Sequence, residues 1–145
     1  MSHYIQADRI PLFENFCRRH QVDGKKIRIE VGGTPLDVTV ASTPRSQAKG
    51  YMGAESEPSE GTGILFVYDL DAPLSFWMKN VKFPLDIMFF DSNFDLVDHQ
   101  SMEPADDLQD HIIPRYTSSK PARFAIEVKS GWCKKNLTPG CKLKM

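Results

Sequence analysis

Short apolar segments with a period of two residues constrain the fold of this chain more than any other feature. Apolar side chains alternate with polar ones over residues 27–31 and again over residues 36–40, on either side of Gly32 and Gly33. Such alternation places every second side chain on one face of a β-strand, and a glycine pair is typical of a tight turn. The sequence therefore predicts a β-hairpin in this region.

Three further segments have the length and composition of strands. Residues 63–69, GILFVYD, are apolar almost throughout, which is typical of a short strand covered on both faces. Residues 85–102 carry two apolar stretches around Asp91-Ser92-Asn93, whose side chains favour a turn, and they predict a second hairpin. Residues 123–129, RFAIEVK, alternate again, whereas residues 103–121 lack a period and predict one long surface loop. The fold class is therefore mainly β, an antiparallel sandwich or a barrel-like sheet.

Two or three short helices accompany the strands. Residues 8–20 place apolar side chains three and four positions apart, which predicts an amphipathic helix. Thr43-Pro44 is typical of an N-cap followed by proline in the first helical turn, in a short helix that Gly50 or Gly53 would end. Gly131-Trp132 begins a last turn or helix. A chain of 145 residues is the size of one domain, so we expect residues 1–25 to form a helical extension and residues 26–145 a single β-rich domain.

Composition excludes several classes of function. The 18 Lys and Arg residues balance 19 Asp and Glu residues, so no overall charge attracts nucleic acid or an anionic membrane. No apolar run approaches the roughly 18 residues of a membrane span, and the first residues lack the features of a signal peptide. Cys17, Cys133 and Cys141 have no Cys-x-x-Cys spacing and are expected to be free thiols in a reducing compartment. We therefore expect a cytoplasmic protein.

Chemical motifs are sparse. The acidic segment around His99 and His111 matches neither a zinc helix nor a calcium loop, and no nucleophile elbow or phosphate-binding glycine loop occurs. Neither a metal nor a cofactor is expected. One enzymatic alternative remains, a hydrolase of a saccharide or a similar polar substrate that uses two carboxylates. The residues from which such a pair could be drawn are Asp69, Asp86, Glu103 and Glu127.

Several segments together resemble a known family. They are TPRSQAKGYMG (43–53), GILFVYD (63–69), FWMKNVKFPLDIMFFD (76–91) and PARFAIEVKSGW (121–132). In this order they resemble the domain of unknown function 192 family over roughly residues 36–145, and FWMKN followed by PLDI is the most specific part. The resemblance implies a compact, mainly β, jelly-roll-like fold without an established catalytic activity.

The family pattern and the polar residues inside apolar segments mark a candidate binding site. Its residues are Arg45, Trp77, Lys79, Asn80, Asp86 and Glu127. In one interpretation these side chains form a buried network that joins neighbouring strands, since an unpaired buried charge costs several kcal/mol. In the other they line a pocket with Trp77 as an apolar wall. The structural interpretation is favoured because buried polar groups are nearly always hydrogen bonded.

The sequence as a whole favours a non-enzymatic binding or accessory module. Its partner would be another protein or a small polar ligand, and neither a membrane nor nucleic acid is expected. The aromatic face of the N-terminal helix, with Phe13 and Phe16, is a candidate docking or self-association element. Two alternatives stay open, the hydrolase described above and a structural subunit of a larger assembly.

Overall fold

A computed structural model describes residues 23–105 and 107–145, and nine strands lie in this part of the chain. The helix predicted for residues 8–20 lies outside the described residues. The strands are β1 (Lys26–Val31), β2 (Thr34–Ala41), β3 (Thr62–Ala72), β4 (Ser75–Phe76), β5 (Leu85–Phe90), β6 (Leu96–Met102), β7 (Tyr116–Thr117), β8 (Ala122–Lys129) and β9 (Leu143–Lys144).

Seven of these strands form one curled sheet with the shape of a half-barrel. Their order is β6-β5-β8-β3-β2-β1-β9, and β4 pairs with β7 in a separate ribbon. β2 and β3 are parallel, whereas the other neighbouring pairs of the large sheet are antiparallel. The mainly β, barrel-like prediction is confirmed, and the structure adds the parallel pair. Parallel neighbours require a crossover connection, and residues 42–61 provide it.

The crossover between β2 and β3 contains the first described helix, α1 (Pro44–Lys49). Thr43 is its N-cap and forms a capping box with Ser46, and Pro44 occupies the first helical position. Gly50 ends the helix at φ 47°, a backbone conformation that favours glycine. The predicted helix and both of its boundaries are therefore confirmed. A 3-10 helix (Asp110–Ile112) and a second helix, α2 (Trp132–Asn136), follow later in the chain.

Both faces of the central strands are buried. On β5, Met88 and Phe90 belong to one core cluster, together with Trp132 of α2. Ile87 and Phe89 point to the opposite face and belong to a second cluster. All six residues of β5 are buried, which explains why this strand lacks the alternation of a half-exposed one.

The segment predicted as one long surface loop is more ordered than expected. It contains the 3-10 helix and β7, and Tyr116 of β7 pairs with Phe76 of β4. Ile113 is only 6% exposed and packs in the second cluster. Isolated apolar side chains thus hold this segment against the sheet, although they give it no period. No helix in the described ranges is long and apolar enough to cross a membrane.

Candidate functional site

The residues predicted as a binding site lie in separate parts of the structure. Arg45 is exposed on α1, and Asn80 is exposed in the turn between β4 and β5. Asn80 has φ 58°, and its backbone carbonyl accepts a hydrogen bond of 2.9 Å from the N–H of Gly53. Asn80 therefore contacts the crossover through its backbone carbonyl. Its backbone is in a left-handed conformation, which asparagine tolerates better than most residues.

Asp86 joins β5 to the beginning of α2. Its Oδ2 accepts the backbone N–H groups of Gly131 and Cys133, each at 3.0 Å, and the Ser101 hydroxyl donates to its Oδ1 at 3.4 Å. Gly131, the N-cap of α2, has no side chain to offer the first turn. The buried carboxylate on a distant strand thus does the work of an N-cap side chain.

Trp77 and Lys79 form a surface cluster with the segment that precedes β7. The Lys79 ammonium lies 2.7 Å from the Asp110 carboxylate and 5.3 Å from the centre of the Trp77 ring. The Arg115 guanidinium lies 4.2 Å from the same ring. The aromatic face attracts both cations, so this cluster holds the 3-10 helix region against the FWMKN segment.

Among the predicted site residues, Glu127 of β8 has the least expected surroundings for a carboxyl group. Its side chain is 4% exposed, and its Oε1 lies under Gly50, where a Cβ atom would approach to 3.3 Å. Within the described residues, its carboxyl group has neither a hydrogen bond nor an ion pair. Burial alone raises the pKa of Glu127 to about 8, so the group is mostly protonated at neutral pH.

Two tyrosines accompany this carboxyl group. Tyr51 follows Gly50 in the crossover, and Tyr68 lies on β3. Burial, and secondly the Glu127 carboxyl group, raise the pKa of both phenols. One buried carboxyl group and two half-buried phenols thus lie near each other, and all three are mostly uncharged at neutral pH.

Asp86 and Glu127 face opposite sides of the sheet. In the pairing of β5 with β8, Asp86 is opposite Val128, which belongs to the first core cluster, and Glu127 is opposite Ile87, which belongs to the second. Opposed residues in a ladder share a face, so these two carboxyl groups cannot act on one substrate. The other carboxylates considered for a pair, Asp69 and Glu103, are exposed.

A cleft lies between the crossover and the sheet. Its volume is about 820 Å³, and most of the surface that lines it is apolar. Its floor is formed by residues 37–41 of β2 and 62–64 of β3, and its wall by residues 49–54 together with Ser46 and Pro58. Ile64 lines the cleft and is opposite Glu127 in the pairing of β3 with β8, so the protonated carboxyl group lies beside Ile64 on the same face of the sheet, although Glu127 itself does not line the cleft.

Contacts with two segments hold the wall of the cleft in place. The Gln47 side chain of α1 donates a hydrogen bond of 2.7 Å to the carbonyl of Val67 on β3. The Tyr51 ring meets the Phe83 ring edge to face at 6.2 Å. The hydrogen bond from Gly53 to Asn80 supplies the last contact. The wall and the helix before it are thus fixed to the sheet on one side and to the connection between β4 and β5 on the other.

The cysteines of the described residues are free, as the sequence predicts. Cys133 and Cys141 are both buried, and Cys17 lies outside the described residues. Burial, and secondly the charge of Asp86, raise the pKa of the Cys133 thiol. A thiol held in its protonated form is a poor nucleophile, so Cys133 is not a candidate catalytic group. No cluster of metal-ligating side chains occurs over residues 23–105 and 107–145.

A family model matches residues 27–145, nearly the whole of the described structure. The chain belongs to the DUF192 family, "Uncharacterized ACR". The match covers β2 to β9 and all of β1 except Lys26, and it includes the crossover wall and the FWMKN segment; the cleft residues Asp23, Gly24 and Lys26 precede it. No curated protein matches the sequence.

Solved structures share the DUF192 fold of this chain. A protein of unknown function from Novosphingobium aromaticivorans DSM 12444 is 24% identical, with a TM-score of 0.74, and the match covers 87% of this chain and 90% of the other. A proposed transcription regulator from Sinorhizobium meliloti 1021 is also 24% identical, with a TM-score of 0.73, and the match covers 85% of this chain and 95% of the other. At this level of identity the likeness establishes the fold alone.

The cleft of this DUF192 protein was not among the sequence predictions. Its floor residues, such as Val38, Thr39 and Ile64, are ordinary strand residues whose sequence shows only that they lie in a sheet. The crossover provides the one available signal, because TPRSQAKGYMG combines a capped helix with two glycines and is one of the segments that resemble the family pattern. That signal indicates a constrained loop but not a cavity beside it.

Proposed function

We propose that this protein is a non-enzymatic binding module whose cleft takes a small, largely apolar molecule. The observation that supports the proposal is the cleft of about 820 Å³ between the crossover and β2–β3. Clefts that bind small molecules usually have volumes of about 300–1,000 Å³ and mostly apolar linings. The apolar lining favours such a ligand over the small polar ligand that the sequence suggests.

The way the wall is built supports a binding role. Residues 50–54 contain Gly50 and Gly53, both with positive φ, and they form no strand or helix. This irregular backbone is nevertheless fixed through Tyr51 and Gly53 to the connection between β4 and β5, and the preceding helix is fixed through Gln47 to β3. A wall that is already in position before a ligand arrives lowers the entropy that binding must overcome.

The chemistry around the cleft supports binding without catalysis. Asp86 is on the far face of the sheet, and Glu127 lies beside Ile64. Hydrolysis of a glycosidic bond needs two carboxyl groups that flank the scissile bond. The two carboxylates that line the cleft, Asp23 and Asp37, are instead engaged by Ser42 and Ser46 and by Arg28.

A fluorescent probe tests the proposal. N-phenyl-1-naphthylamine is neutral and gains fluorescence in apolar surroundings, so we expect saturable binding of one dye per chain. Thr39 of β2 lines the cleft and is half-buried, and Thr39→Trp should fill the cleft while keeping a residue type that strands favour. We expect this variant to bind the dye with at least ten-fold lower affinity.

The matched control places the same side chain elsewhere. Leu70 of β3 is 74% exposed and does not line the cleft, so Leu70→Trp should bind the dye as the parent does. Circular dichroism and thermal melts establish that both variants are folded. The proposal is overturned if the parent shows no saturable signal, or if folded Thr39→Trp binds the dye as well as the parent.

A further inference from the structure

The charged residues that line the cleft have different surroundings. Two are acidic, Asp23 before β1 and Asp37 on β2, and two are basic, Lys26 on β1 and Lys49 at the end of α1. All of them are exposed at the edge of an otherwise apolar cleft. The partners of each group decide which charge remains available to a ligand.

Both acidic groups already have partners. Asp37 accepts two hydrogen bonds from Arg28, at 2.8 and 3.0 Å, in a bidentate ion pair. The Asp23 carboxylate accepts hydrogen bonds from the Ser42 N–H and the Ser46 hydroxyl, at 2.9 and 2.6 Å. These bonds lower the pKa of Asp23 and secure the crossover to the segment before β1.

In the described structure, the two lysines lack the ion pairs that some other lysines of the chain form. Lys79 and Lys135 each have a carboxylate within 2.9 Å. Across residues 23–105 and 107–145, neither Lys26 nor Lys49 has an ion pair or a hydrogen-bonded side chain. Arg28 neutralises Asp37, whereas Asp23 keeps its negative charge, so the two lysines leave the edge of the cleft with an excess of one positive charge.

We infer that the ligand of the cleft is an amphipathic anion, whose apolar body lies against β2 and β3 and whose anionic group meets Lys26 and Lys49. The inference rests on the proposed function and specifies the chemical class of its ligand. An apolar body gains from leaving water over a mostly apolar lining, and an anionic head stays hydrated at the exposed edge, where two ammonium groups attract it. A cationic head would meet the same two groups and be repelled.

The protonated carboxyl group near the cleft is consistent with this choice. Glu127 lies beside Ile64 on the same face of the sheet, and a charged carboxylate there would repel an anion. Burial raises the pKa of Glu127 to about 8 and also raises the pKa of Tyr51 and Tyr68, so these groups are mostly uncharged at neutral pH and oppose neither the apolar body nor the anionic head.

Three eight-carbon probes of equal length separate the possibilities. Octanoate, 1-octanol and octylammonium should each be tested for displacement of N-phenyl-1-naphthylamine from the full chain at pH 7. We expect octanoate to compete at least five-fold better than 1-octanol, and octylammonium to be the weakest. Raising the salt concentration should reduce the advantage of octanoate, since exposed charges are screened.

Substitutions of the two lysines test whether they cause the stronger competition by octanoate. Lys26→Met and Lys49→Met retain long apolar side chains and remove the charges, so each should weaken octanoate about two- to five-fold and leave 1-octanol unchanged. Lys120→Met is the control, because Lys120 is exposed and does not line the cleft. It should leave the affinity of each probe unchanged.

The outcomes distinguish the ligand class from the proposed function. If 1-octanol and octanoate compete equally, the cleft binds apolar molecules and the anionic class is wrong. If octylammonium competes best, the sign of the charge is wrong. If Lys120→Met lowers the affinity for octanoate as much as Lys49→Met does, general attraction to the protein surface explains the preference for octanoate. The proposed anion site at Lys26 and Lys49 is then wrong. If the dye binds and Thr39→Trp removes it but none of the probes displaces it, the anionic ligand class is wrong and the proposed function stands. If the parent binds no dye, the proposed function and this inference both fail.

Discussion

The Oε1 atom of Glu127 lies 3.3 Å from the position that a Cβ atom on Gly50 would take. This approach brings the end of α1 onto a buried carboxyl group of β8, with the Phe66 ring beside it at 3.4 Å from the same position. The crossover can pass so close to the sheet only because the residue at its turn has no side chain. The contact therefore determines the position of the cleft wall.

Gly50→Ala should destabilise the fold. Gly50 has φ 47° and ψ −127°, a conformation that residues with a Cβ atom rarely adopt, and the added atom would press on Glu127 and Phe66. We expect a loss of about 2–3 kcal/mol in the free energy of unfolding, measured by urea denaturation. Gly53→Ala is the control, since its φ is 82° but no atom lies within 4 Å of the added Cβ. It should cost about 1 kcal/mol, and equal costs at the two positions would argue against the close contact.

Glu127→Gln should remove a pH dependence of stability. The folded pKa of about 8 lies above the value of about 4.3 expected in the unfolded chain, so the folded protein holds one extra proton between these values. The stability of the parent should therefore fall as the pH rises from about 4.5 to 8, by at most about 1.4 kcal/mol per pH unit from this group, and then level off. Glutamine is neutral throughout and lacks this contribution.

Urea denaturation of both proteins between pH 4.5 and 8.5 checks the effect. We expect similar stability near pH 4.5 and a variant that is more stable than the parent by at least about 1 kcal/mol at pH 8. Titration of other groups cancels in the difference between the two curves. Parallel curves across this range would show that Glu127 is ionised at neutral pH.

Asp86→Ala should be strongly destabilising. The variant leaves the buried N–H of Cys133 and the N–H of Gly131 without their acceptor, and we expect a loss of about 2–4 kcal/mol. Asp86→Asn keeps an oxygen that can accept both bonds and should lose only about 1 kcal/mol. Chemical denaturation measures both losses, and hydrogen exchange at Cys133 locates them. Equal losses for the two variants would mean that capping is not the role of Asp86.

Lys79→Met should have a small effect in comparison. The Lys79 and Asp110 side chains are 33% and 60% exposed, and solvent weakens such ion pairs. Trp77 also keeps Arg115 over its ring when Lys79 is removed. We expect a loss below about 1 kcal/mol by thermal and urea unfolding. A loss above 2 kcal/mol would show that Lys79 is part of a buried network instead.

Local pattern was sufficient for most of the secondary structure. Alternation located the hairpin of β1 and β2, and turn-forming residues located that of β5 and β6. The Thr43-Pro44 cap located the start of α1, and of the two glycines predicted to end it, Gly50 does so. These features depend on neighbours in the sequence, so a single chain displays them. The parallel pairing of β2 with β3 depends on how the crossover packs, and no local pattern carries that information.

The candidate site was less predictable for a geometric reason. FWMKNVKFPLDIMFF suggested one cluster of polar groups, but Lys79 precedes β5 in a surface turn, whereas Asp86 is inside it. Asp86 and Glu127 lie on adjacent strands, and only the register of β5 with β8 determines that they face opposite sides. A shift of one residue would have placed them together.

The sequence by itself determined a mainly β domain of the DUF192 family, with its hairpins and its capped helix, because strand periodicity, turn residues and caps are local properties. The tertiary structure alone decided which polar groups meet. It placed Asp86 at the start of α2 and Glu127 under Gly50, and it made a cleft from a crossover and two parallel strands. Strand register and packing bring together residues far apart in the chain, and these long-range contacts define the site.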